Sequence, residues 1–249
     1  MQGSVASAQH TFPAFIDQEY EQYTSEDHDV WKVLYERRMN TLENTASRLF
    51  LDGASTIGLS PESVPALSDV NKRLAARTGW SAVGVSGFIP AAQFFRCLGA
   101  RRFPTTLRVR PRAQLDYLPE PDIFHDVFGH VPLHADPVFA DFLQRFGELG
   151  DACESDEQTQ ALARLFWFTV EFGLIRESGS TRVYGSGLIS SHGDAANALS
   201  DKCERRSFSL SDVIQTSFRT DEIQPVLYEI GSFNDLFVAV EELASQFRS

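Results

Sequence analysis

The spacing of apolar residues predicts helices over most of the first two-thirds of the chain. After Ser25, Val30 and Leu34 begin a long series of apolar residues at helical spacing. A second helix is predicted over 60–78, because this stretch opens with Ser-Pro-Glu, an N-cap followed by proline in the first turn. The glycine that follows it is a typical stop signal.

Three more helices have recognisable start signals. An Asp-Pro pair at 136–137 opens one that should end near Gly150. Ser155 and Gln158 have the spacing of a capping box and precede a run of apolar and aromatic residues. The tail from Asn234 again has the pattern of an amphipathic helix.

Beyond Glu177 the pattern changes to short β-branched or aromatic runs bounded by glycine, serine or proline. Such runs predict strands or extended loops, here over 181–190, 206–210 and 224–231. The predicted fold is therefore mainly α with a small β component. Since no internal repeat, low-complexity tract or linker divides the chain, we expect a flexible leader over 1–14 and one domain over 15–249.

The charge balance narrows the range of partners and compartments. The 249 residues include 34 acidic and 22 basic ones, which gives a net charge of −12. Nucleic acids and anionic membranes attract cationic surfaces, so neither is expected as a partner. The sequence shows no secretory signal, no apolar run long enough to cross a bilayer and only 3 scattered cysteines. These features predict a cytoplasmic protein.

Candidate metal chemistry centres on His125 and His130 in the string PEPDIFHDVFGH. Residues five apart are separated by about 140° on a regular α-helix, so both imidazoles cannot face one ion from an uninterrupted helix. Gly129 and Pro132 predict that the helix ends there and that His130 turns back from a terminal turn. No glutamate follows His125, which argues against the HExxH pattern of zinc hydrolases. On spacing alone the pair could equally be ordinary core or surface histidines.

A lone carboxylate, Glu171, lies in the apolar string FWFTVEFGLI. Burying an unpaired carboxylate there would cost several kcal/mol or force it to take up a proton. A divalent ion would supply the missing charge, and two imidazoles with one carboxylate can occupy one face of an octahedral Fe(II), leaving the opposite face open. The alternative is a salt bridge to a nearby arginine, Arg164 or Arg176.

Several long strings closely resemble the pterin-dependent aromatic amino acid hydroxylases, in particular the bacterial members that act on phenylalanine. In chain order they are FPTTLRVRPRAQLDYLPEPDIFHDVFGHVPL, VFADF, FWFTVEFGLI, YGSGLISSHGD and SFND. The resemblance covers most of the chain and is weakest toward the N-terminus. It implies a single catalytic domain of that family, with iron in a helix-lined basket. Neither the regulatory domain nor the tetramerisation helix of eukaryotic members is expected, and we expect a monomer.

The resemblance also implies the cofactors and the substrate class, namely Fe(II), a tetrahydropterin, O2 and a small aromatic amino acid. The iron ligands fall on His125, His130 and Glu171. Arg110 matches the arginine that binds the substrate α-carboxylate, a task that suits its planar fork, and Asp122 matches the acid that orients it.

Other matching positions surround the two organic molecules. Those near the substrate are Pro119, Trp167, Phe172, Gly187 and Ser190. Those near the pterin are Gly87, Ile89, Phe94, on which its ring stacks, and Asp126. Taken singly, the aromatic residues could be plain core, the serine a turn residue and Gly87 a turn glycine.

The resemblance favours L-phenylalanine as substrate and L-tyrosine as product. Trp167 is the residue that phenylalanine and tyrosine members carry, whereas tryptophan members tend to have phenylalanine there. Departures from the family pattern at Phe166, His192, Asp194 and Thr220 leave other reactions open. These are hydroxylation at the meta position of phenylalanine, or of tyrosine or tryptophan, in secondary metabolism.

A hypothesis from another functional class is that the chain is a non-catalytic regulatory protein that uses the histidines to bind structural zinc. Such zinc sites are closed and tetrahedral, with four protein ligands. No cysteine lies near His125 in the sequence, and His134 is the only spare imidazole nearby. This alternative therefore needs His134 to join the other ligands.

Overall fold

The computed structural model describes residues 11–116, 120–220 and 222–248, and helices dominate it. The α-helices are α1 (Ser25–Thr45), α2 (Arg48–Ile57), α3 (Leu67–Arg77), α4 (Ala91–Gly99), α5 (Pro137–Asp151), α6 (Asp156–Phe166), α7 (Ser186–Ser190), α8 (His192–Ala198), α9 (Leu210–Val213) and α10 (Asn234–Phe247). Two π-helical segments are Phe124–His130 and Trp167–Glu171, and short 3-10 turns are Tyr20–Gln22, Arg112–Gln114 and Val131–Ala135. Among these described elements, no helix is both long and apolar enough to cross a membrane.

The strands form two small sheets. They are β1 (Phe15–Ile16), β2 (Ser81–Val85), β3 (Arg102–Thr105), β4 (Leu174–Glu177), β5 (Ser180–Val183), β6 (Glu204–Ser207) and β7 (Val226–Ile230). In the first sheet β2 is antiparallel to β1 and parallel to β3. In the second, of order β5-β4-β7-β6, β4 is antiparallel to β5, and β7 is parallel to both β4 and β6. The predicted class, mainly α with a small β component, is confirmed.

Helix α1 begins where the sequence predicts. The Thr24 hydroxyl accepts a hydrogen bond from the Asp27 amide at 3.2 Å, and the Asp27 carboxylate accepts one from the Thr24 amide at 2.8 Å. This capping box satisfies two donors that a helix start otherwise leaves unpaired. Further along α1, Trp31 packs edge-to-face on Phe124, with ring centroids 5.4 Å apart. The helix therefore packs against the first π-helical segment.

The helix predicted over 60–78 starts later, at Leu67, so the predicted start was wrong. The Val64 amide instead donates to His28 Nδ1 at 3.1 Å. This contact with α1 uses a backbone donor of the segment, and Pro65 disfavours a helical conformation at the residue before it. The tertiary contacts and the second proline thus outweigh the local start signal.

The helices predicted from 136 and 155 are confirmed. Asp136 caps α5 by accepting a hydrogen bond from the Phe139 amide at 3.0 Å. Ser155 caps α6 by accepting one from the Gln158 amide at 3.2 Å. The capping box of α6 is only half formed, because the Gln158 side chain accepts from the Glu154 amide.

The stretch predicted as extended over 181–190 divides into two elements. Its first part belongs to β5, but the rest forms α7, so the prediction of extended structure there was wrong. A hydrogen bond of 2.8 Å from the Ile189 amide to the Gly185 carbonyl closes this helical turn. The stretches 206–210 and 224–231 contribute to β6 and β7, as predicted.

Candidate metal centre

The π-helical segment Phe124–His130 positions the two histidines. Hydrogen bonds from i to i+5 widen the turn, so residues five apart come to lie on one face. The His125 and His130 ring centroids are 5.1 Å apart, with the ring planes at 86°. The segment ends at His130, close to where the sequence predicted an end, but the expected turn back of His130 was wrong, because the helix widens instead. A Cβ at Gly129 would lie 3.1 Å from the Ser186 carbonyl oxygen, so glycine permits this close packing.

A second π-helical segment, Trp167–Glu171, brings in the carboxylate at the end of α6. The Phe172 amide donates to the Trp167 carbonyl at 2.9 Å, a bond from i+5 to i. Glu171 Oε1 lies 3.1 Å from His130 Nε2, and Glu171 Oε2 lies 3.7 Å from His125 Nε2. Both π-helical segments therefore direct their ligand atoms toward one point.

The donor set fits a divalent metal ion. One ligand atom from each of His125, His130 and Glu171 lies within 4.8 Å of the others. Burial raises the pKa of Glu171, but the neighbouring His130 and His125 imidazoles and the Ser186 hydroxyl lower it to about 2. The carboxylate is therefore ionised at neutral pH and available as a ligand.

The salt-bridge alternative for Glu171 is wrong. Arg164 Nη1 donates to the Ile214 carbonyl at 2.7 Å. Arg176 Nε pairs with Glu229 at 3.0 Å. Both arginines are thus engaged away from Glu171, whose neighbours are the two imidazoles and a serine.

Helix α7 supplies hydrogen bonds to two of the ligands. Ser186 Oγ donates to Glu171 Oε2 at 2.7 Å. Ser190 Oγ donates to the Ser186 carbonyl at 2.8 Å and lies 2.9 Å from His125 Nδ1. Because Ser190 donates its hydroxyl proton to the Ser186 carbonyl, its oxygen accepts a hydrogen bond from His125 Nδ1. The proton of the neutral imidazole is then on Nδ1, so Nε2 has a lone pair available for a metal. Ser190, expected near the substrate carboxylate, therefore orients a ligand.

Arg110 and Asp122 form a buried bidentate pair beside this centre. Arg110 Nε donates to Asp122 Oδ2, and Arg110 Nη2 donates to Oδ1, both at 2.8 Å. Asp122 Oδ1 also accepts from the His125 amide at 3.1 Å. One fully buried carboxylate thus fixes both the guanidinium and the start of the π-helical segment. Because this pairing uses Nε–H and one N–H of Nη2, the two N–H groups of Nη1 and the second one of Nη2 are left for a further ligand.

Trp167 lies in an aromatic cluster next to the metal ligands. Its indole stacks on Phe218, with centroids 4.5 Å apart and planes at 14°, and is tilted against Phe172 at 4.7 Å. Its Nε1 donates to Gln224 Oε1 at 3.2 Å. A Cβ at Gly187 would come within 2.9 Å of Phe172 Cζ, so glycine leaves room for that ring. Pro119, the remaining residue expected at the substrate, lies outside the described residues.

The residues expected at the pterin lie on two elements that flank the centre and on the π-helical segment. Phe94 of α4 packs edge-on against Phe166 at 5.5 Å, next to the π-helical end of α6. In the loop that joins β2 to α4, Gly87 has a φ of 156° and Ile89 is half-buried. Burial raises the pKa of Asp126, whose Oδ2 accepts from the Thr106 amide at 2.6 Å.

His134 does not join the metal ligands. Its Nδ1 donates to the His130 carbonyl at 2.9 Å, and its ring packs edge-on against Trp80 at 4.6 Å. The metal-binding cluster found among the described residues has the three members His125, His130 and Glu171. A set of three suits an open coordination sphere better than a closed zinc site.

Two hydrogen-bonding residues of the site were missed by sequence reasoning. Ser186 lies four residues before Ser190, a spacing that would have placed both on one face had α7 been predicted as a helix. Gln224 had no comparable signal, because its contact with Trp167 joins segments that are remote in sequence.

The chain is similar to known proteins over most of its length. The sequence profile of the biopterin-dependent aromatic amino acid hydroxylases matches residues 11–249. The phenylalanine-4-hydroxylase of Ralstonia nicotianae is 43% identical over 225 residues, which are 90% of this chain and 72% of that protein. That of Caulobacter vibrioides is 43% identical over 222 residues, which are 89% of this chain and 76% of that protein.

A solved structure is similar over the whole chain. The phenylalanine hydroxylase of Chromobacterium violaceum, with bound iron(III) and the oxidised cofactor 7,8-dihydrobiopterin, has a TM-score of 0.89 and 38% identity. The alignment covers 100% of this chain and 93% of that one. The chain therefore belongs to the biopterin-dependent aromatic amino acid hydroxylases.

Proposed function

We propose that this chain is an Fe(II)- and tetrahydropterin-dependent monooxygenase that hydroxylates L-phenylalanine to L-tyrosine with O2. The observation that carries the proposal is the convergence of His125, His130 and Glu171 within 4.8 Å. Membership of the family and its relatives' names support both the cofactors and the substrate. When bound, iron and the pterin together supply the electrons that activate O2, so that one oxygen atom enters the substrate ring and the other leaves on the pterin.

His125, His130 and Glu171 would hold the iron, and two of these three side chains are oriented by hydrogen bonds. Ser190 holds the His125 tautomer that has a free Nε2, and Ser186 orients one oxygen of Glu171. The ligands come from one side, from the π-helical segment and from the end of α6. The opposite face of an octahedral ion would therefore be open to O2 and the co-substrates.

The substrate would be held at both ends. Arg110, fixed by Asp122, presents Nη1 to the α-carboxylate. Trp167, Phe172 and Gly187 would surround the aromatic ring and exclude water from it. The family resemblance would add Pro119, which lies outside the described residues. Because Phe172 directly follows Glu171 in the chain, this pocket would lie beside the candidate metal ligands.

The pterin would lie between α4 and the loop over 86–90. Phe94 offers its ring for stacking, Gly87 and Ile89 would contact the pterin through their backbone, and Asp126 would approach it from the π-helical segment. A Cβ at Gly87 would meet nothing within 4 Å, so this part of the loop has open space beside it. An aromatic side chain beside open space is a suitable platform for a flat heterocycle.

We further propose that the chain is a single catalytic domain and acts as a monomer in the cytoplasm. The net charge of −12 argues against nucleic acids and anionic membranes as partners. All three cysteines are free thiols, which suits a reducing compartment. Size-exclusion chromatography coupled to light scattering measures the oligomeric state directly.

The test of the proposed function is product analysis. Purified protein with Fe(II), a tetrahydropterin and O2 is incubated with each aromatic amino acid, and the products are separated by chromatography. We expect para-tyrosine from phenylalanine as the main product, with pterin consumed in equal amount. The meta isomer, or turnover of tyrosine or tryptophan only, would replace the substrate assignment, and metal analysis showing zinc without ferrous-dependent turnover would refute the oxygenase.

A further inference from the structure

Helix α7 is a five-residue element on which the metal centre depends. It carries Ser186 and Ser190, whose hydroxyl groups contact Glu171 and His125. A helix this short has no stability of its own, because forming its first turn fixes several residues for one hydrogen bond. Its position must therefore come from contacts with other elements.

Arg38 of α1 reaches the carboxyl end of α7 from far away in the sequence. Its Nε donates to the Ile189 carbonyl at 2.7 Å, and its Nη2 donates to the Leu188 carbonyl at 2.9 Å. Only 3% of Arg38 is exposed, so these bonds are made without competition from water. Two parallel bonds from one planar guanidinium fix the direction as well as the distance of the carbonyls.

These two bonds satisfy two of the carbonyls in the last turn of α7. The last carbonyls of any helix have no partner within the helix. In α7 the Ser186 carbonyl accepts from Ser190 Oγ and the Gly187 carbonyl accepts from the Ser191 amide at 3.1 Å. Of the remaining three, the carbonyls of Leu188 and Ile189 both accept hydrogen bonds from Arg38.

The charge of Arg38 suits this position. A cation is stabilised at the carboxyl end of a helix, where the peptide dipoles place partial negative charge. Burial lowers the pKa of Arg38 to about 10, so the guanidinium stays charged at neutral pH. Its Nη1 is also 3.5 Å from His192 Nδ1, at a position where the chain departs from the family pattern.

We propose that Arg38 is a positioning residue of the metal centre, holding α7 so that Ser186 and Ser190 keep their hydrogen bonds to Glu171 and His125. The proposal rests on the proposed metal site. Arg38 touches none of the ligands, so its effect is transmitted through the carbonyls of α7. Loss of the guanidinium should weaken metal binding more than it weakens the fold.

The experiment compares Arg38→Met with Arg37→Met, each titrated in the metal-free form with Co(II) alone. Arg37 is the adjacent residue on α1, its side chain is 54% exposed, and it pairs with the exposed Asp116. The Co(II) dissociation constant, the visible absorption spectrum of the bound ion and the thermal midpoint of the metal-free protein are measured for each. For Arg38→Met we expect the Co(II) dissociation constant to rise by about tenfold and the spectrum of the bound ion to change. Removing a side chain that hydrogen-bonds a metal ligand typically weakens binding by about 10-fold to 100-fold, and the indirect role of Arg38 places it at the low end. Arg37→Met should match the parent protein.

A double-mutant cycle tests whether Arg38 acts through Ser190. In a Ser190→Ala background, Arg38→Met should cause a much smaller further loss of Co(II) affinity, because the bond it protects is already gone. If Arg38→Met does not fold, the same comparisons are made with Arg38→Lys, which keeps the charge but can serve fewer carbonyls. Arg38→Lys should then show a weaker affinity than the parent and a smaller effect in the Ser190→Ala background.

The outcomes separate this proposal from the metal site itself. If the parent protein binds Co(II) and Glu171→Gln does not, the site stands whatever Arg38 does. If either folded Arg38 variant then lowers the thermal midpoint but leaves the dissociation constant and the spectrum unchanged, Arg38 is only a structural residue and the proposal is wrong. If the parent protein fails to bind Co(II), the proposed site fails, and the proposal for Arg38 fails with it.

Discussion

The metal centre and the loop over 86–90 are built in contrasting ways. At the metal centre two of the three candidate ligand side chains have a hydrogen-bonded neighbour, because Ser190 contacts His125 and Ser186 contacts Glu171. In the loop, Phe88 is 90% exposed and a Cβ at Gly87 would meet nothing within 4 Å. In the first region the protein's own hydrogen bonds position the side chains, whereas the second region has exposed apolar surface that a ligand would cover.

The difference predicts two separable classes of variant. Changes at the ligands or at the side chains bonded to them should alter metal affinity, and turnover should follow. Changes in the loop should alter the use of the pterin and leave metal affinity as it is. Changes at Arg110 and Trp167 should mainly affect the amino acid substrate.

The largest effect is expected for Glu171→Gln. The amide keeps the shape of the side chain but removes the charge that a divalent ion requires. We expect metal affinity to fall by more than about 100-fold, the upper end of the range for loss of an outer partner, with turnover lost in proportion. Metal content after dialysis and the rate of tyrosine formation check this. Glu157→Gln, an exposed change at the start of α6, is the control, and an active, iron-retaining Glu171→Gln protein would refute the site.

The next largest effect on metal affinity is expected for Ser190→Ala. Without the hydroxyl, His125 Nδ1 loses its acceptor, and neither the tautomer nor the ring orientation is fixed. We expect metal affinity to fall by about 10-fold to 100-fold. Isothermal titration with Co(II) measures it, with the exposed Ser245→Ala as control. Unchanged affinity would show that the His125 ring is held by packing alone.

Arg110→Lys should act on the substrate more than on the metal. An ammonium cannot reproduce the planar fork, and a lost charge-assisted hydrogen bond costs about 1.5–3 kcal/mol. We expect the KM for phenylalanine to rise roughly tenfold or more, with kcat much less affected. Steady-state kinetics beside Arg108→Lys, a half-exposed neighbour, measures both. A fall in kcat at constant KM would remove Arg110 from the carboxylate-binding role.

Gln224→Met should have a smaller effect on the same substrate. It leaves Nε1 of the half-buried Trp167 without its acceptor and removes hydrogen bonds of 2.7 Å from the buried Gln224 to the Arg219 and Glu222 carbonyls. Each unsatisfied buried group costs about 1–3 kcal/mol of stability. We expect a lower thermal midpoint and a several-fold higher KM for phenylalanine. Gln160→Met, exposed on α6, is the control, and an unaltered KM would mean that Trp167 does not border the ring.

Phe88→Ala should be the mildest change and the sharpest test of the contrast. An exposed side chain contributes little to folding, so stability should stay within about 0.5 kcal/mol of the parent. We expect a higher apparent KM for the tetrahydropterin and an unchanged Co(II) dissociation constant. Val238→Ala, exposed on α10, serves for comparison. A loss of metal affinity in Phe88→Ala would contradict the separation of the two regions.

The sequence could predict the fold class and single out three candidate metal ligands, but not how their side chains come together. Regular helical geometry places His125 and His130 on different faces, and no periodic pattern announces the π-helical widening that brings them together. The apolar string around Glu171 correctly indicated that its charge needed a partner. The start of α3 was mispredicted because Val64 and its neighbours bond to α1.

Contacts between remote segments account for the rest of what was missed. Ser186, Gln224 and Arg38 each contact a segment that is remote in the sequence. The residues around them therefore give no sign of these contacts. Ser186 came closest to being predictable from the sequence, because it lies one helical turn before Ser190. Because the sequence predicted extended structure where α7 lies, the shared helical face of Ser186 and Ser190 was not recognised.

The most direct test of the central claim is anomalous diffraction at the iron edge from crystals loaded anaerobically with Fe(II). We predict one strong peak within bonding distance of His125 Nε2, His130 Nε2 and a Glu171 oxygen, with no other protein ligand on its far side. A peak elsewhere, a fourth protein ligand closing the coordination sphere, or no bound iron would contradict it.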